Sequence, residues 1–150
     1  MKKYLIITEK PSMVRSLESV YKQMGESAEF EADFLPVNCH VVNVKTSRLS
    51  ADSIADHRPF NLKAKKVTPN FKLHCGADVQ IARGEEILKM VKTNKYDAII
   101  NACDPDDEGD LEFQYMLESL GLERHKTERI YLFDLSDSLI ESELMTLNDF

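Results

Sequence analysis

The sequence predicts an α/β fold with a mainly parallel central sheet flanked by helices. One observation is a pair of short, nearly continuous apolar runs, Tyr4-Leu5-Ile6-Ile7 and Ala98-Ile99-Ile100, of the kind found in strands buried on both faces. Another is the alternation of such runs with stretches of helical periodicity, the signature of β-turn-α units joined by right-handed crossovers. The third is size. A chain of 150 residues, 43% apolar, suits one compact domain and buries enough surface to hold a core without metal or disulfide staples.

The elements follow in order. Lys3 to Thr8 reads as a buried strand with Glu9 at its carboxyl end. Lys10-Pro11-Ser12 then starts a helix, with proline tolerated in the first turn, and Met13, Leu17, Val20, Tyr21 and Met24 recur at helical spacing up to Gly25. Phe30 to Leu35 and His40 to Val44 are strand candidates broken by Pro36. From Lys45 to Asn70 the chain is polar, with Pro59, Pro69 and the basic run Lys63-Ala64-Lys65-Lys66, and it reads as an excursion over the surface. A helix is expected over Val79 to Val91, with Ile81, Ile87, Leu88 and Val91 on one stripe, followed by a strand over Asp97 to Cys103. The turn Asp104-Pro105-Asp106-Asp107-Glu108-Gly109 leads into a helix carrying Leu111, Tyr115, Leu117 and Leu120 before Gly121. Arg129 to Phe133 is the last expected strand and Ser136 to Leu147 the last helix.

Charge and cysteine usage narrow the classes of function. With 19 Lys+Arg against 26 Asp+Glu the formal net charge is -7, which argues against a free-standing basic nucleic-acid binder. The apolar run after Met1-Lys2-Lys3 stops at Thr8-Glu9, short of a signal peptide, and no stretch reaches the ~18 apolar residues of a membrane span. A soluble cytoplasmic protein is expected. Cys39, Cys75 and Cys103 cannot all pair, so reduced thiols are expected. Cys39-His40 and His74-Cys75 lack the usual spacing of structural zinc ligands, and separate strand and loop residues are the simpler reading.

The chemistry concentrates in the acidic turn, where Asp104 to Glu112 places six carboxylates in nine residues. Like charges crowded this way need compensation. A helix N-terminus supplies part of it, and a divalent cation supplies more: magnesium is usually held by one or two carboxylates and otherwise by water and phosphate. In open parallel sheets ligands gather outside the carboxyl ends of strands, and Glu9 ends another such strand, so the two turns are expected to face one crevice. Glu9 and Lys10 then add a carboxylate and a cation beside the acidic turn, a set suited to metal-assisted phosphoryl chemistry. An acidic helix start without metal remains the alternative for the turn on its own.

Leu5-Ile6-Ile7-Thr8-Glu9-Lys10-Pro11-Ser12 and Ile99-Ile100-Asn101-Ala102-Cys103-Asp104-Pro105-Asp106-Asp107-Glu108-Gly109-Asp110 together resemble the Toprim domain of type IA DNA topoisomerases, nearest the topoisomerase III branch. The resemblance implies a Rossmann-like Toprim fold over residues 1–150, as a fragment of a longer topoisomerase, with Glu9, Asp104 and Asp106 around Mg²⁺ or Mn²⁺. It further implies that Glu9, Lys10 and Glu108 serve catalysis, with Glu9 handling the proton on the 3′-oxygen and Lys10 neutralising phosphate. His40, Lys10 and Arg129 would meet single-stranded DNA. In the family, a tyrosine from a downstream domain of the same polypeptide forms a 5′-phosphotyrosyl link. The five tyrosines here fall in or beside expected strands and helices, so the isolated chain is expected not to relax DNA. Three departures stand out: Asp107 replaces the family's Arg, Asp110 its last Glu, and Cys39 the Gly before its His. A Toprim module of nuclease or primase type, and a non-catalytic metal-binding module, are the competing readings.

Overall fold

The computed structural model describes residues 1–37 and 78–150. Four parallel strands form the sheet: β1 (Lys2–Thr8), β2 (Phe30–Pro36), β3 (Ala98–Asn101) and β4 (Thr127–Arg129), in the order β2-β1-β3-β4. Among the described residues four α-helices accompany them: α1 (Pro11–Met24), α2 (Asp78–Thr93) and α3 (Asp107–Leu120) between strands, and α4 (Asp137–Met145) after β4. Tyr4 pairs with Ala98 and Ile7 with Asn101 along β1 and β3, while Thr8 pairs with Pro36 on the other side of β1. Among the described residues β2 is an edge strand, so Pro36 ends it at a sheet position where a missing N–H costs little. The expected parallel α/β architecture is the one observed.

The continuous apolar runs are explained by burial on both faces. Tyr4 and Ile6 point with Ala98 and Ile100 into a core shared with Met13, Leu17 and Val20 of α1 and Ile140 and Leu144 of α4. Leu5, Ile7 and Ile99 point the other way, against Ile87 of α2 and Phe113, Met116 and Leu117 of α3. Period-two alternation with apolar residues at every position therefore feeds two cores. Each fully buried aliphatic side chain contributes roughly 1.5–3 kcal/mol of transfer free energy.

Helix ends match their sequence signals. Pro11 occupies the first position of α1, where its missing N–H is no loss. Gly121 ends α3 in the left-handed conformation at φ 68°, and the Leu122 N–H reaches the Leu117 carbonyl at 2.7 Å, closing a Schellman turn.

Three elements end elsewhere than expected, and the first is β3, which spans Ala98–Asn101 and not Asp97 to Cys103. The last strand is Thr127–Arg129, not Arg129 to Phe133. Ile99 N–H bonds the Lys126 carbonyl at 2.9 Å and Ile130 N–H the Asn101 carbonyl at 3.0 Å, so the even-numbered residues face β3, whereas the Tyr131 N–H faces away from it and donates to the Glu143 carboxylate of α4 at 2.7 Å. Helix α4 stops at Met145 and tightens into a 3₁₀ turn over Thr146–Asn148. The expected strand His40 to Val44, the polar stretch after it, Cys39, Cys75, His74 and the Lys63, Lys65 and Lys66 run lie outside the described residues.

Candidate functional site

The strand order creates the site. The chain leaves β1 for β2 on one side and later leaves β3 for β4 on the other, so β1 and β3 are neighbours whose connections diverge. Such a topological switch point opens a crevice beyond the strands' carboxyl ends. Glu9 follows β1 and Asp104 follows β3, which puts both at its mouth.

The Lys10 ammonium lies between them, 3.9 Å from a Glu9 oxygen and 3.8 Å from an Asp104 oxygen. The two carboxylates are therefore within two ion-pair lengths of each other. Glu9 is 15% exposed, Asp104 38% and Lys10 58%. Pairs this long and wet contribute about 0–1 kcal/mol, so the arrangement marks a place for positive charge more than a stabilising contact.

Asp106 has a second task. It is the N-cap of α3, and its carboxylate accepts from the Gly109 N–H at 2.6 Å. Asp107, Glu108 and Asp110 complete an acidic first turn over the helix's positive end. Glu108, expected to join the catalytic set, is exposed on that turn. His40 lies outside the described residues.

Arg129 is drawn inward. Its Nη2 donates to the Asp104 main-chain carbonyl at 2.7 Å, its Nη1 lies 3.0 Å from the Asp110 carboxylate, and the side chain is only 12% exposed. Arg129, expected to meet DNA, makes these internal contacts because the end of β4 lies directly behind the acidic turn. Asn101, a polar residue buried at the end of β3, ties the same region: its amide donates to Asp110 at 3.2 Å and its oxygen accepts from the Cys103 N–H at 3.0 Å. These ties were missed in the sequence. The available signal was an Asn closing an otherwise apolar strand, since a polar group at that depth needs partners.

Gly109 marks a close approach. A Cβ there would sit 2.2 Å from the Asp104 carbonyl oxygen, so α3 packs its first turn directly on the backbone of the acidic turn. Tyr131, expected inside a strand, lies beyond β4 and is 48% exposed, with the Arg129 guanidinium 5.2 Å from its ring centre.

The donor set suits a hard divalent cation. Glu9 and Asp104 offer oxygens around one spot already taken by an ammonium, and Asp106 retains an oxygen beyond its cap; one or two carboxylates plus water are what magnesium needs. Among the described residues no three His, Cys, Asp or Glu side chains converge tightly enough to form a ligand cluster by themselves. No described helix is long and apolar enough to cross a membrane.

No curated protein matches the chain significantly. The family model for the Toprim domain matches residues 4–135, which includes β1, the Glu9 turn, the acidic turn and β4. Toprim domains are divalent-metal-binding modules, typically for Mg²⁺, of DNA-processing enzymes that include topoisomerases, primases and nucleases. With the match spanning most of the chain and a parallel sheet that carries the acidic residues at its switch point, this chain belongs to the Toprim domain family.

Proposed function

We propose that this Toprim domain serves a type IA DNA topoisomerase of the topoisomerase III kind, supporting cleavage and religation of single-stranded DNA by a tyrosine held in another domain. The observation that carries the reading is the Lys10 ammonium poised between Glu9 and Asp104 in a Glu-Lys-Pro-Ser turn. Asp104 and Asp106, with Glu9, would hold Mg²⁺ or Mn²⁺. The cation would supply positive charge against the phosphodiester oxygens and so help to position the strand end.

The chain's own residues have separable tasks. Lys10 approaches the phosphate from the exposed side and offsets charge that builds on its oxygens in the transition state. Glu9, mostly buried at the end of β1, handles the proton of the 3′-oxygen: tyrosine gives up its phenolic proton to solvent as it bonds to phosphorus, the P–O bond to the 3′-oxygen breaks, and that oxygen takes a proton from water through Glu9. In religation it takes that proton back as the 3′-hydroxyl attacks phosphorus and tyrosine leaves. Glu108, on the first turn of α3, adds negative charge that favours a bound cation.

A water-activating nuclease is the second reading, because nucleases also carry Toprim domains and a metal there activates water without any tyrosine. The two part in one experiment. The chain is incubated with single-stranded and supercoiled DNA in Mg²⁺ or Mn²⁺, and products are resolved before and after proteolysis. The topoisomerase reading expects neither relaxation nor a covalent DNA–protein adduct from this chain, and relaxation once a tyrosine-bearing domain is joined to it. Tyr131→Phe is the control, because Tyr131 is the exposed tyrosine near the turn. Metal-dependent cleavage abolished by Glu9→Gln and indifferent to Tyr131→Phe would establish the nuclease instead.

A further inference from the structure

We infer that Arg129 is a positioning residue that holds the backbone of Asp104 so that its carboxylate faces Glu9 and Lys10; the inference rests on the metal-site reading above. The Asp104 carbonyl is gripped from three directions. Arg129 Nη2 donates to it at 2.7 Å, the Asp106 N–H donates at 2.8 Å, and Gly109 presses so close that a Cβ would fall 2.2 Å away. A carbonyl with two donors and a packed wall has one orientation available to it, and the side chain on the same residue inherits that orientation.

Arg129 is itself fixed. Asp110 faces Nη1 at 3.0 Å, and Asn101 donates to the same Asp110 oxygen at 3.2 Å. The ties form a loop from the end of β3, through the first turn of α3, to the end of β4 and back to the acidic turn. The ring of Tyr131 lies against the guanidinium. Among the described residues, Nε and Nη1 are buried without a hydrogen bond, so the ion pair with Asp110 is the main compensation for the charge on that side. A buried guanidinium is expensive to keep unless its geometry is exact at the bonds it does make. Here the shorter of the two contacts ends on the residue whose carboxylate approaches Lys10. Lysine would bring a point charge without the fork that spans two acceptors.

The test uses the 150-residue chain with Arg129→Gln, Arg129→Lys and Asp110→Asn. One readout is metal-free: amide hydrogen exchange of Asp106 and Gly109 against β1 amides as internal reference. The other is Mn²⁺ affinity by spin-resonance titration of the metal alone. Arg129→Gln is expected to speed exchange at Asp106 and weaken Mn²⁺ about tenfold, the scale of one charge-assisted hydrogen bond. Arg129→Lys should recover part of both. Should Arg129→Gln fail to fold, Asp110→Asn keeps the guanidinium and carries the same two readouts. Unchanged exchange in the folded variants overturns the inference, as does faster exchange with Mn²⁺ affinity unaltered. If the unaltered chain binds no Mn²⁺ while the variants still speed exchange, the metal-site reading falls and the clamp on Asp104 stands.

Discussion

Replacing Gly109 with alanine sets two physical effects against each other at one atom. Gly109 is the third residue of α3, and its φ is not positive, so helix propensity alone favours the change: alanine gains about 0.8–1.0 kcal/mol over glycine inside a helix. The added methyl, however, would meet the Asp104 carbonyl oxygen at 2.2 Å, its carbon at 3.1 Å and the Asp104 nitrogen at 3.2 Å. All three are backbone atoms, and the carbonyl is also held by Arg129 and by the Asp106 N–H. Relief requires α3 to move off the turn, which opens the Asp106 cap at Gly109 as well. Overpacking costs about 1–3 kcal/mol and a lost cap about 1 kcal/mol, so their sum exceeds the propensity gain. We expect a net loss of about 2 kcal/mol. For a domain of this size that lowers the thermal midpoint by about 4–8 °C, read by circular dichroism in metal-free buffer. A midpoint equal to or above that of the unaltered chain would refute the reasoning, since it would mean that the first turn of α3 does not press on Asp104.

Millimolar Mg²⁺ should raise the melting midpoint by less than the 2.7 kcal/mol that mass action gives at about a hundredfold excess over the dissociation constant. The gain should vanish in an Asp104→Asn, Asp106→Asn variant; asparagine still caps α3, so an equal shift in that variant removes the metal assignment without ambiguity from a broken helix. Tyr96 donates to the Asp33 carboxylate at 2.6 Å, and burial first, then that bond and the Asp33 charge, push its pKa well above the usual tyrosine value. The folded state therefore keeps a proton that the unfolded chain loses from about pH 10 upward. Stability from this group is intact below that pH and falls above it, so alkaline melts should lose less in Tyr96→Phe than in the unaltered chain, and parallel curves would count against the bond. In the core, Ile100→Ala should cost about 2–5 kcal/mol by denaturant unfolding, whereas Phe133→Ser, at a side chain 75% exposed, should stay within about 0.5 kcal/mol.

What the sequence made legible was whatever depends on local pattern. Tyr4 to Ile7 and Ala98 to Ile100 announced buried strands because two-faced burial leaves no polar position to confuse the period. Pro11 and Gly121 announced helix ends because each answers a local backbone requirement. The end of β4 was not legible: Tyr131 and Phe133 alternate with buried Ile130 and Leu132 as a strand would, yet the pairing stops at Arg129 because β3 itself ends at its partner Asn101. Glu9 and the acidic turn could be expected at one crevice because strand ends collect ligands. Arg129 could not be assigned in the same way. An arginine beside a phosphate-handling motif suggests a phosphate contact, and its capture by Asp104 and Asp110 depends on the pairing of β3 with β4.

The balance of charge at the crevice sets the order in which ligands can arrive. Six carboxylates crowd the nine residues from Asp104 to Glu112, and the helix dipole of α3 offsets only a fraction of them. Of the two cations that touch the turn among the described residues, Arg129 is committed to a buried carbonyl and to Asp110, which leaves Lys10 facing outward. Among the described residues, a phosphodiester approaching this surface meets net repulsion that the exposed Lys10 ammonium does not cancel. A divalent cation meets attraction, and the Glu9 and Asp104 oxygens already face a common point of positive charge. Under the proposed function the metal is therefore what turns an acidic crevice into a phosphate site, and Asp107 adds one more negative charge for it to offset.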